Sequence, residues 1–200
     1  MTELNVNQAT EGPFADYLRL VGKVDQHAAE VTAAHATSMA CAVACTGCCH
    51  RELSVFPVEA AVVRDWLGGR SLAAVPVPAL PPRVLQVLEL DPTTTPCAML
   101  DGAGQCRIYP VRPLICRSHG LPLAVVDEEG TYADVCPLSF DGGEGLAELE
   151  EDEFLVIDTL NVILAAVNAA WVRSTGSAPE RVALRTIALV SSPDGSPGSG

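Results

Sequence analysis

Cys41, Cys45, Cys48 and Cys49 fall within nine residues, and no other feature constrains the chain as much. A free cysteine often serves as a small core hydrophobe. That role suits one or two residues. It strains at four, where Ala or Val would pack without risk of oxidation. If a helix runs on through Met39–Cys49, then Cys41, Cys45 and Cys48 stand at i, i+4 and i+7 on one stripe, with Cys49 at its edge. Thiols gathered on one face are what a metal ion requires. Four more follow at Cys97, Cys106, Cys116 and Cys136. A closed zinc site takes four ligands and a four-iron cluster takes four cysteines, so eight thiols fill two such sites or one dinuclear site. The neighbours Cys48 and Cys49 bind one ion only with poor geometry. Either they serve different ions or one of them does not ligate.

The later cysteines gain meaning from local structure. Cys97–Tyr109 reads as a β-hairpin with Asp101–Gly104 as its turn. In that register Leu100 faces Gln105 and Met99 faces Cys106, so Cys97 and Cys106 become diagonal neighbours about 7–8 Å apart. Pro113 can open a short helix closed by Gly120, with Cys116 and His119 at i, i+3. His119 is a candidate ligand weighed against an ordinary hydrogen-bonded role, and His50 adjoins Cys49. His27 and His35 read as surface residues of the first helix. Two Zn²⁺ with eight thiolates would leave a residual charge of about −4. Arg107, Arg112 and Arg117 flank the later cysteines and could offset it.

The net charge of −13, with no Lys/Arg cluster, argues against nucleic acid and against an anionic membrane surface. The most apolar stretch, Phe154–Val172, holds Asp158, Asn161 and Asn168, which a membrane span would not easily tolerate. Residues 1–12 lack the basic-then-apolar layout of a signal peptide. The expectation is a cytoplasmic protein, where reduced thiols are ligands rather than disulfides.

The expected fold is mainly α with a small β-hairpin, an irregular, metal-stabilised cysteine-cluster domain. Residues 1–13 form a disordered N-terminus, 14–190 a single domain with its cluster at 41–140, and 191–200 a disordered Ser/Pro/Gly tail. A first helix spans Phe14 to about Ala40, with Phe14, Leu18, Val21, Ala28 and Val31 on its buried face. Ser54–Leu67 contains a second, with Pro57 early and Gly68 as its stop. Val75–Pro82 is a stiff connector, followed by a short helix over Arg83–Leu90. Leu121–Val126 is a candidate strand. Glu144–Arg173 reads as one long helix ended by Gly176, and Arg181–Val190 as either helix or strand.

The run Cys41-x3-Cys45-x2-Cys48-Cys49 resembles the CxxxCxxCC signature of the YkgJ-type cysteine-cluster family, usually described as a zinc- or iron-chelating domain. The stretch from Cys106-Arg-Ile-Tyr to Arg112-Pro-Leu-Ile-Cys116-Arg117 is similar to its second signature, and Cys97 and Cys136 match the flanking cysteines. The resemblance covers about residues 41–140. It implies metal binding by these cysteines, with zinc or iron, including an iron–sulfur cluster, as the cofactor. Ser118-His119 stands where the family often has an apolar residue after Cys-Arg. Some relatives of the domain sit in flagellin lysine N-methylases, but this chain has no glycine-rich loop for S-adenosylmethionine.

Three functions remain: a metal-binding protein, a metalloenzyme modifying a protein or peptide in the manner of a lysine N-methylase, and a metal-stapled interaction module with an unidentified protein partner. A closed thiolate site favours the first or third, since catalytic zinc keeps an open position. No motif names a nucleophile or general base, so whether the chain is an enzyme stays open. Two structural expectations follow. At least three of the first four cysteines should lie within a few ångströms of at least two of the later four. The turn-rich segment Pro92–Pro122 should bury little apolar area and depend on metal for its order.

Overall fold

Helix α1 (Ala15–Ala34) buries Tyr17, Leu20, Val21, Val24 and Val31. This stripe is rotated from the expected one, and Leu18 and Ala28 lie at its half-buried margin. The computed structural model describes residues 11–42, 45–68 and 70–189. The expected disorder at residues 1–10 and 191–200 lies outside them.

Helix α1 stops six residues short of Ala40. The reason lies in where the next backbone groups bond. The Phe140 N–H donates to the Ser38 carbonyl at 2.6 Å, and the Ala40 N–H donates to Ser139 Oγ at 3.1 Å. The Met39 N–H still reaches His35, but the Ala40 N–H takes a side-chain oxygen in place of its i−4 carbonyl and the Ser38 carbonyl is given to Phe140, so the helix does not run on. The cysteine run is therefore not a helical stripe. Cys41 and Cys45 lie outside any helix, and Cys48 and Cys49 sit in a 3₁₀ turn at Gly47–His50.

Strand β1 (Ser54–Val55) leads into α2 (Pro57–Leu67). Pro57 occupies the first turn, where its missing N–H costs nothing, and Gly68 ends the helix in the left-handed conformation. The Glu59 carboxylate accepts from the Phe56 N–H at 2.9 Å, closing the helix start. Helix α3 (Pro82–Val87) is shorter than expected and buries nothing fully.

Cys97–Tyr109 is not a ladder but a loop with one isolated antiparallel bridge, Leu100–Cys106. Asp101 Oδ1 accepts from the Ala103 and Gln105 N–H groups. This widens the turn by one residue, so Arg107 rather than Cys106 bonds to Met99. The segment also buries more than expected: Met99, Leu100, Ile108, Val111 and Leu114 are all core residues. Pro113 opens α4 (Leu114–Ser118), which packs on α1.

The true hairpin comes later, as β2 (Leu123–Asp127) and β3 (Gly130–Asp134), paired antiparallel. The Glu-rich stretch after it forms 3₁₀ turns rather than the start of a long helix. Phe140, Asp141, Gly142 and Gly143 all have positive φ, and like charges at Glu144/Glu148 oppose a helix. Leu155 and Val156 (β4) then pair parallel with Leu123 and Ala124, and only afterwards does α5 (Ile157–Thr175) begin. Gly176 caps it as expected. The ambiguous Arg181–Val190 segment holds both elements, β5 (Val182–Ala183) paired with β1 and then α6 (Leu184–Leu189). One core joins α1, α2, α5, α6 and the 99–114 segment, so the fold is mainly α with small sheets. Among the described residues no helix is long and apolar enough to cross a membrane.

Candidate metal centre

All eight cysteines are free; Cys41 and Cys45 are exposed and the other six half-buried. Four chain segments bring them together. The 3₁₀ turn presents Cys48 and Cys49. The Cys97 N–H donates to the Cys49 carbonyl at 2.7 Å, docking the second segment on the first. The Leu100–Cys106 bridge carries Cys106 back beside Cys97. Helix α4 supplies Cys116. It is anchored by the Leu114 N–H, which donates at 2.9 Å to Glu59 Oε1, and by Arg117. That guanidinium is almost fully buried. It bonds Asp25 at 2.6 Å and the carbonyls of Arg112 and Pro110 at 2.8 and 2.7 Å. Cys136 is held near the first run by the same Ser139 and Phe140 contacts that end α1.

The thiols act on one another. Cys41 is exposed as a residue, but its Sγ packs against the His119 carbonyl and Gly120. That desolvation pushes it up to about 11, with Cys45, Cys136 and Cys48 adding repulsion. Burial pushes Cys116 up to about 12, with Cys97, Cys106 and Cys48 raising it further. Burial likewise raises Cys97, Cys106 and Cys136. Within the adjacent pair, the Cys49 S–H donates to Cys48, holding the Cys48 thiol low and the Cys49 thiol high. Held low, Cys48 is the thiolate whose charge raises six of the other thiols.

The guanidiniums divide their work. Arg112 favours the thiolates of Cys41, Cys48 and Cys106, and Arg107 that of Cys97. Arg117 is committed to Asp25 and the two carbonyls, so it braces the site rather than neutralising it. Arg51 favours the Cys48 thiolate and went unnoticed in the sequence. Glu59, Ser139 and Asp25 were missed too, because their roles depend on partners 55 to 99 residues away.

Of the histidines, His50 is buried and its Nε2 has no hydrogen-bond partner; His119 Nε2 is likewise unpartnered. Burial lowers His119, with Arg51 adding to the shift. His35 is not a plain surface residue, since its Nε2 lies 2.6 Å from Glu153 Oε1.

The donor set suits a thiophilic cation. Soft sulfurs that repel one another when ionised are relieved by a divalent ion between them. Among the described residues no three such side chains already stand close enough to grip an ion, so ligation would draw them inward. The expected few-ångström grouping of the two halves is thus a shared neighbourhood, not a closed cage.

Eight free thiols, two of them in one 3₁₀ turn onto which the Cys97 segment docks, mark a cysteine-rich domain on a small helical scaffold. Residues 40–137 match the family model CxxCxxCC, described as a putative zinc- or iron-chelating domain. No curated protein matches the chain, and no solved structure does.

Proposed function

We propose that the protein is a chelator in which Cys41, Cys45, Cys48, Cys49, Cys97, Cys106, Cys116 and Cys136 hold zinc or iron as thiolates. The observation carrying this reading is the backbone bonding that docks the segments of Cys97 and Cys136 on the first cysteine run, through Cys97 to Cys49 and through Ser139 and Phe140 to Ala40 and Ser38, with all eight thiols free. A hydrophobic role does not fit Cys41 and Cys45, which are exposed. Free thiols of this density fit a reducing compartment such as the cytoplasm. Thiolates binding the ion release their protons, so affinity rises with pH.

Anaerobic purification followed by elemental analysis and a visible spectrum tests the reading. Zinc yields a colourless loaded protein, because its filled d shell has no visible bands. Iron–sulfur yields broad visible absorption. Protein that stays metal-free when both metals and sulfide are supplied would overturn it.

A further inference from the structure

We propose that the cluster divides at the Cys48–Cys49 peptide bond into two four-cysteine sites, Cys41/Cys45/Cys48/Cys136 for one ion and Cys49/Cys97/Cys106/Cys116 for another. The division rests on the chelator reading above and extends it to ligand sets.

The 3₁₀ turn supplies the first reason. With three residues per turn, successive side chains project about 120° apart. Cys48 and Cys49 are successive in Gly47–His50, and it is the Cys49 carbonyl that receives the Cys97 N–H, so the later segment docks on the Cys49 side of that peptide bond. Backbone bonding supplies the second. Ser38 and Ala40, just before Cys41, are tied to Phe140 and Ser139, just after Cys136. The Ser139 N–H returns to the Cys136 carbonyl at 2.8 Å, fixing that cysteine in the same turn. Cys49 is instead tied directly to Cys97, and Cys97 reaches Cys106 through the Leu100 bridge and the Arg107–Met99 bond. Arg117 grips the Pro110 and Arg112 carbonyls, setting the path from Cys106 to Cys116.

Exposure follows the same line. The first set contains the two exposed cysteines and the second contains none. The first ion therefore exchanges quickly and the second slowly.

Native mass spectrometry of the reduced full chain with Zn²⁺, combined with chelator competition, tests the division. The wild type should hold two ions that leave in a fast and a slow phase. Cys45→Ser should weaken the fast ion by about tenfold or more, at least the cost of losing an outer contact to a ligand, and leave the slow one unchanged. Cys106→Ser should do the reverse. Cys45→Ser with Cys136→Ser should lose only the fast ion, and Cys45→Ser with Cys106→Ser both. Far-UV circular dichroism checks that each variant folds. A folded Cys45→Ser/Cys136→Ser protein that loses both ions, or a wild type that binds a single ion, overturns the division. A wild type that binds no Zn²⁺ and no iron overturns the chelator reading itself.

Discussion

Replacing Arg117 by Lys removes a brace while keeping a charge. The guanidinium is 6% exposed and reaches three partners at once: Asp25, the Arg112 carbonyl and the Pro110 carbonyl. Lys is a point charge without the planar fork, so it can serve one of them at a time. Hydrogen bonds from a charged donor contribute about 1.5–3 kcal/mol each. Pro110 is exposed and its carbonyl can recover water, which places the combined loss at about 2–4 kcal/mol. Against a domain stability of about 5–15 kcal/mol, that is a large fraction. The assay is urea unfolding of reduced, chelator-treated protein followed by far-UV circular dichroism. With a slope of about 2 kcal/mol per molar urea, the middle of the usual range, the midpoint should fall by about 1–2 M. Asp25 is 45% exposed, so Asp25→Asn should cost less than about 1 kcal/mol. If Asp25→Asn costs as much as Arg117→Lys, the surface ion pair carries the effect and the backbone brace does not.

Gly120 has φ +88°, and a Cβ there would collide with Cys41 Sγ. Gly120→Ala should cost about 1–2 kcal/mol in strain and also weaken the ion held by Cys41. Gly176→Ala, at φ +67° with open space around it, should show the strain alone when both are titrated with Zn²⁺. Burial raises the Glu59 carboxyl despite its two N–H donors. Its stabilising contribution is therefore complete below the unfolded value of about 4.3 and lost as pH rises through the higher folded value. Glu59→Gln, which cannot titrate, should cost most in acid and progressively less toward neutral pH; urea midpoints of both proteins across that range decide it, and a cost that grows with pH would contradict the assignment. Removing metal should raise amide exchange around Ser38–Ala42 and Cys136–Phe140, while residues 99–114 keep protection because Met99, Ile108 and Leu114 are locked in the core. Equal loss in both regions would show that the metal, not the core, orders the later segment.

The sequence made local chemistry legible and long-range chemistry much less so. Pro57 and Gly68 mark α2, and Gly176 marks the end of α5, because each acts within its own turn. The cysteine spacing exposed the ligand candidates, but it suggested a helical stripe. The structure breaks that stripe because Ser139 and Phe140 claim the backbone at residues 38–40. No local pattern announces such a claim. The hairpin register failed over one residue, since Asp101 closes a wider turn with its own side chain. The burial of Met99 and Ile108 was hidden because a turn-rich segment shows no periodicity for an apolar face to follow.

The bonds from Ser38 and Ala40 to residues 139 and 140 carry a consequence for synthesis. Cys41–Cys49 leave the ribosome 87 residues ahead of Cys136. At about 5–20 residues per second, the first four thiols wait roughly 4–17 s for their last companion. During that interval the nascent chain carries an unshielded cluster of thiols, open to oxidants and to any soft cation nearby. Translation speed then sets how long those thiols stay exposed before Cys136 can fold against them.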